Sequence, residues 1–167
     1  MRLPIKARRL YITQFEEDMA ETLQINSIDE DIKRFVPDEV FETIEDAKET
    51  LSYLISCYER KDSPLVYPII LNEGRNIGYV QAVPLLEGWE IGYHIAKPFT
   101  GYGYASEAVG VFLPEIMQYL GIHHIFGICL AENIASSKVL EKCGFTLIFD
   151  GNDLYHGQMQ HIYRYVY

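Results

Sequence analysis

Two short stretches hold most of the side chains that could do chemistry. The first reads Trp89-Glu-Ile-Gly-Tyr-His-Ile-Ala96, Lys97-Pro-Phe, then Thr100-Gly-Tyr-Gly-Tyr-Ala-Ser-Glu107. An extended segment runs into a loop with Gly101 and Gly103, and a helical pattern opens directly behind it. Glycines there let the main chain approach a ligand, and the unpaired N–H groups of a helix's first turn point at anions. The pattern describes a pyrophosphate cradle built from backbone; it also describes a plain turn. A P-loop would need Gly-Lys-Ser/Thr where this chain has Gly-Tyr-Ala, and a dinucleotide fingerprint would need a third glycine where Ser106 stands. Alternation along 89–96 puts Glu90, Gly92 and His94 on one face, two titratable groups with a gap between them. Each has a bland reading, Glu90 as an edge-of-strand surface carboxylate and His94 as a hydrogen-bonded core histidine.

The second stretch is Leu130-Ala-Glu-Asn-Ile-Ala-Ser-Ser-Lys-Val-Leu-Glu-Lys-Cys-Gly-Phe145. Asn133 and Ser136 are three residues apart at a helix start, so an amide and a hydroxyl share one face. Asn133 alone is also a good helix cap. Ser137 is adjacent, and the spacing does not separate the two serines.

The elements that must carry these stretches can be read from periodicity. Residues 8–15 form a short strand, and 16–36 carry helical spacing that Pro37 ends. Thr43 with Asp46 three residues on opens a second helix, running to residue 60. Strands follow over 65–71, 76–83 and 89–96, with Pro68 and Pro84 marking an edge, bulge or strand end. A helix over 102–120 contains Pro114, where a bend is expected. A strand over 124–130, a helix over 133–143 ended by Gly144, and strands over 145–150 and 158–166 complete the chain. The order predicts an α/β (α+β) fold: a mixed, mostly antiparallel sheet of about seven strands with helices on both faces.

Composition narrows the classes further. The chain has 167 residues and a formal net charge of −10, consistent with one domain over 1–167. No apolar run approaches the length that crosses a bilayer, and no secretory signal is legible, so no membrane partner is expected. Cys57, Cys129 and Cys143 are odd in number and widely spaced, which fits a reducing, cytoplasmic setting. The acidic balance argues against nucleic acid. His123-His124, His156 and His161 lack ligand spacing, so no metal is expected. Residues 15–49 hold 13 acidic and three basic residues, the whole of the excess; they read as solvated helix faces or as a rim that attracts a cation. The aromatic tail from Tyr155 to Tyr167 reads as sheet core or a dimer contact, leaving monomer or homodimer open.

Taken together, 90–93, 100–108 and 133–145, with the opening Arg9-Leu-Tyr-Ile-Thr-Gln-Phe15, resemble the GNAT acyltransferases, and most closely the branch that acetylates ribosomal-protein N-termini. The resemblance covers nearly the whole chain. It implies a sheet splayed between its fourth and fifth strands, with acetyl-CoA lying in the gap as co-substrate and an amine acceptor opposite. It implies phosphate contacts along Thr100, Gly101, Tyr102, Gly103, Tyr104 and Ala105, and pantetheine contacts at Ile95, Lys97 and Asn133. Thr100 departs from the family's usual Gln or Arg, and Lys97 or Lys138 would have to supply that charge. The resemblance also implies that Ser136 protonates the departing thiolate, that Glu90 or His94 takes the amine's proton, and that the N–H of His94 or Ile95 meets the oxyanion. The alternatives are a non-catalytic acyl-CoA-binding module of the same fold and a small nucleotide-binding protein.

If the acidic rim steers a cationic acceptor, charge reversal within 15–49 raises the acceptor KM at low ionic strength and the effect fades with added salt. An acceptor KM that ignores both substitution and salt overturns the steering role.

Overall fold

A computed structural model of the chain describes residues 1–28, 30–35 and 39–167, with the backbone alone for 30–32. An eight-stranded sheet forms its centre in the order β1-β2-β3-β4-β5-β6-β8-β7. Its strands are β1 (Ile5–Lys6), β2 (Leu10–Ile12), β3 (Leu65–Leu71), β4 (Asn76–Leu85), β5 (Gly88–Ile95), β6 (Phe126–Leu130), β7 (Thr146–Tyr155) and β8 (Gln158–Val166). Among the described residues five α-helices accompany them: α1 (Ala20–Ser27), α2 (Glu30–Phe35), α3 (Ile44–Cys57), α4 (Tyr104–Leu120) and α5 (Ile134–Lys142). Every neighbouring pair is antiparallel except β5 with β6.

Two apolar clusters cover the two faces. On one, Ala108, Val109, Phe112 and Ile116 of α4 and Leu140 of α5 pack with Val80, Ile91 and Ile95 of the sheet. On the other, Leu23 of α1 and Ala47, Leu51 and Leu54 of α3 pack with Val66 and Tyr79. β3 is buried at all seven positions, as a strand covered on both faces must be. α3 begins where the sequence places it: Asp46 N–H donates to Thr43 Oγ1 at 3.1 Å and Thr43 N–H to Asp46 Oδ2 at 3.0 Å, a reciprocal capping box.

Four elements differ from the sequence reading. The strand expected over 8–15 spans only Leu10–Ile12, and an additional short strand, Ile5–Lys6, precedes it and pairs with it, which makes eight strands rather than seven. Ala7 N–H donates to Leu10 O at 2.9 Å across the turn between them, and Arg9 N–H bonds Glu107 Oε1 at 2.7 Å rather than a neighbouring strand. The helical stretch over 16–36 divides: Ser27 Oγ donates to Gln24 O at 2.8 Å and accepts from Phe41 N–H at 2.9 Å, so its side chain competes with the helix and closes α1. The expected stop at Pro37 lies outside the described residues. α4 starts at Tyr104, since Gly101 and Gly103 have φ of 83° and 80° and hold the loop in left-handed backbone until then. β7 runs to Tyr155 because it pairs along its length with β8 through a two-residue turn, His156-Gly157, with both φ positive. Pro84 lies one residue from the end of β4, and Pro68 lies where the β2 pairing has already stopped at Ile69, so β3 is locally an edge there. α4 continues through Pro114. Among the described residues no helix is long and apolar enough to cross a membrane.

β4 and β5 pack backbone to backbone at Gly78. With φ of 148°, it sits where an added Cβ would lie 2.0 Å from the His94 carbonyl oxygen, which is backbone and cannot give way. At Gly127 the obstacle is the flexible end of Leu140 at 2.5 Å. Gly78→Ala is therefore expected to destabilise by roughly 2–4 kcal/mol and Gly127→Ala by about 1 kcal/mol in urea unfolding; equal costs would contradict the distinction.

Candidate active site

β5 is paired with β4 over its whole length, from Leu85 opposite Gly88 to Gly78 opposite Ile95. With β6 it shares one register pair, Glu90 with Phe126, and the two parallel strands part beyond it. β6 is held instead by β8, from Phe126 opposite Val166 to Leu130 opposite Ile162. The result is a cleft of about 1230 Å³ walled by the facing edges of β5 and β6. His94 turns its carbonyl toward β4, and Ala96 N–H bonds Ile77 O at 2.8 Å. Strand alternation therefore turns the N–H and C=O of Ile95, between them, into the gap.

Glu90 stands at the vertex. Burial pushes its pKa up to about 7. The backbone N–H of Ile128 on the opposite strand and the Arg164 guanidinium pull it back down, while the Glu39 carboxylate pushes it further up. Gly92 does leave room, as alternation predicts, and Gln81 fills it. A Cβ there would meet the Gln81 amide nitrogen at 2.7 Å, and that amide donates to Glu39 Oε1 at 3.1 Å. His94 lines the same cleft, but its Nε2 lies 3.2 Å from the Asn26 carbonyl, which can only accept, and its ring leans on Tyr79. Tyr155 and Arg164, from the β7–β8 hairpin, complete this end, Arg164 donating to Asp153 Oδ2 at 3.2 Å. Burial raises the Tyr155 phenol, and Glu90 and Glu39 raise it further.

The glycine loop lies at the far end of the cleft, where Thr100, Gly101, Gly103, Tyr104 and Ala105 line it; Tyr102 is exposed. Two left-handed glycines at the mouth of α4 make the kind of concave run of N–H groups that binds anions. Thr100 Oγ1 donates to Lys97 O at 3.0 Å, so this hydroxyl and that carbonyl close the short 3₁₀ turn over Lys97–Phe99. Lys97 is exposed, and Lys138 lines the cleft. A residue that sequence reasoning missed supports the loop from beneath. Arg9 donates Nε to Glu107 Oε2 at 2.7 Å and Nη1 to Tyr102 O at 3.0 Å, with its guanidinium over the Tyr104 ring. Burial would raise the Glu107 carboxyl, yet the bonds from Arg9 hold it below the ordinary range.

The first turn of α5 faces the gap. Asn133 Oδ1 accepts Ser136 N–H at 3.1 Å and so caps the helix, with Asn133 also on the cleft wall. Geometry separates the two serines. Ser137 is buried and shares a hydrogen bond with the Tyr165 hydroxyl, whereas Ser136 lines the cleft and lies 2.9 Å from the Tyr93 hydroxyl. Tyr93 was passed over in the sequence because alternation puts it on the face opposite Glu90. Arg34 of α2 reaches Glu132 at the other lip with 3.1 Å and 2.7 Å contacts. Among the described residues no group of three or more His, Cys, Asp or Glu is arranged to hold a metal.

A parted parallel strand pair with a glycine loop at a helix start is the arrangement the GNAT resemblance implies, and comparison with known proteins identifies the family. Residues 9–146 match the family described as acetyltransferase (GNAT) domain, so the chain belongs to the GNAT acetyltransferase family, whose enzymes transfer acetyl from acetyl-CoA. It is 29% identical over 143 residues, 84% of this chain and 81% of the relative, to the uncharacterized N-acetyltransferase YnaD of Bacillus subtilis. A GNAT-family acetyltransferase from Bacillus anthracis superposes with a TM-score of 0.84 at 26% identity, covering 99% of this chain and 98% of that one. The ribosomal L7/L12 alpha-N-protein acetyltransferase RimL, solved with coenzyme A, gives 0.83 at 17% identity over 98% and 97%, a likeness of fold.

Arg9→Met is expected to weaken coenzyme A binding about tenfold in calorimetry by loosening the loop. The lowered Glu107 pKa sets a sign as well. Stability from this ion pair is full above the ordinary glutamate pKa of about 4.3 and is lost as pH falls through the folded-state value. The thermal penalty of Arg9→Met should therefore be present at neutral pH and vanish in acid; a penalty independent of pH would rule this role out.

Proposed function

We propose that this enzyme transfers acetyl from acetyl-CoA directly to a primary amine, either a protein N-terminus or a small cationic amine. The observation that carries the proposal is the carboxylate at the vertex of the parted strands, poised near neutral pH beside the edge where a thioester would lie. A neutral amine must attack the thioester carbonyl, and a carboxyl with a pKa of about 7 accepts a proton while staying largely ionised just above that pH. Glu90 is assigned this role over His94, whose Nε2 is engaged by Asn26. The Ile95 N–H is the donor for the tetrahedral oxyanion, because it faces the gap and the N–H of His94 does not. Ser136 supplies the proton to the departing thiolate.

Main-chain N–H groups from Gly101 to Ala105 bind the pyrophosphate, with Lys138 the better placed of the two lysines to offset Thr100. The pantetheine arm pairs with the carbonyl of Ile95 and the main chain of Lys97, whose own carbonyl also accepts the Thr100 hydroxyl and N–H. Asn133 contacts the same arm with the amide nitrogen its capping role leaves over. The acceptor enters on the Glu90 side, the face that carries α1 and α3 and their acidic residues. Three free cysteines suit a reducing, cytoplasmic setting. The alternative, a non-catalytic acyl-CoA-binding module, is favoured by one feature, the Thr100 hydroxyl turned to its own loop.

The test follows thiol release from acetyl-CoA with a panel of peptides and small amines, alongside thermal stabilisation by coenzyme A, ATP and NAD. Stabilisation by coenzyme A alone with amine-dependent release supports the proposal; stabilisation without release for any amine favours the module. With a working acceptor, kcat/KM should rise through about pH 7, and Glu90→Gln should remove that rise and cost about 10²-fold or more. The same raised pKa means that wild-type stability falls between roughly pH 4 and pH 7, as the folded carboxyl gives up a proton the unfolded chain has already lost. Glu90→Gln should therefore be the more stable protein above neutrality, and the less active.

A further inference from the structure

The hydroxyl assigned to the thiolate does not stand alone. Tyr93 leaves β5 on the face opposite Glu90 and crosses to α5, where its Oη lies 2.9 Å from the Ser136 carbonyl oxygen and 2.9 Å from Ser136 Oγ. One phenol thus grips both the main chain and the side chain of a single residue, which fixes the serine rotamer as well as the helix turn that bears it. We infer that Tyr93 is a positioning residue for acetyl transfer, holding Ser136 Oγ toward the coenzyme A sulfur and stabilising that oxygen while it gives up its proton. This inference rests on the reading of Ser136 as the proton donor.

The chemistry balances without a proton leaving Tyr93. As the tetrahedral intermediate collapses, the C–S bond breaks and the sulfur takes the proton of Ser136 Oγ. The phenol O–H, within reach of two oxygens, swings from the Ser136 carbonyl to the developing alkoxide, and water then returns a proton to Oγ. Burial raises the phenol well above its ordinary range, so Tyr93 stays a neutral donor throughout the working pH range. Burial lifts the thiol of Cys129, which also lines the cleft, to about 11, against a smaller opposing effect of the Ser136 hydrogen bond, so it too stays protonated. Ser137 cannot substitute, since its hydroxyl is occupied by Tyr165.

A double-mutant cycle tests this with the acceptor found for the wild type. Tyr93→Phe keeps the ring and should lower kcat about tenfold with the acetyl-CoA KM unchanged. Ser136→Ala should lower kcat about 10²-fold. If Tyr93 acts through Ser136, the double variant equals Ser136→Ala. Multiplying effects, or a raised acetyl-CoA KM with kcat intact, would overturn the inference and leave the enzyme's function standing; absence of turnover in the wild type would strike the function itself. A fluorinated tyrosine at position 93 gives a readout independent of turnover and of the folding of Tyr93→Phe. Its fluorine resonance should shift on Ser136→Ala and on binding coenzyme A, and a resonance blind to both overturns the inference.

Discussion

A β-strand has two hydrogen-bonding edges, and burying one without a partner is costly. In this protein β5 and β6 lie side by side yet meet at only one register pair, so each leaves an edge of amides facing the other across an opening. The rest of the architecture makes that tolerable. β4 satisfies the far edge of β5, and β8 that of β6. α4 and α5 cover the opening from one face, and at the vertex the Glu90 carboxylate lies near enough to the Ile128 N–H for that group to favour its charge. The site is thus an unfinished sheet.

The same vertex couples stability to chemistry. A carboxyl held in a cleft with Glu39 nearby is destabilised as an anion, and the opposing Arg164 and Ile128 contacts only partly offset this. A fully solvated glutamate would be easier to fold around and too weak a base near neutrality. The low Glu107 carboxyl shows the opposite arrangement at the other end of the cleft, where bonds from Arg9 outweigh burial and the charge is structural.

Much of this was legible in the sequence, for local reasons. The α3 capping box, the left-handed loop glycines, the Asn133 cap and the Glu90–Gly92–His94 face all follow from residue types a few positions apart. The parts that were not legible depend on distance. Arg9 meets Glu107 across 98 positions, and Glu39, whose charge Glu90 feels, is held by Gln81 across 42. Tyr93 sits in plain view beside Gly92, but its partner is on a helix 43 residues on, and alternation alone directs attention to the other face. The division of the 16–36 helix was missed because Ser27 closes α1 through Phe41, a contact no helical period encodes.

The adjacent hydroxyls at the start of α5 point in opposite directions. Ser136 is tied to Tyr93 on the β5 wall, and Ser137 to Tyr165 of β8, the strand that carries the β6 wall. One helical turn therefore bridges the two banks, like a spacer bolted at both ends, and sets the width of the slot before anything enters it. Little of a ligand's interaction energy need then go into prying the walls apart.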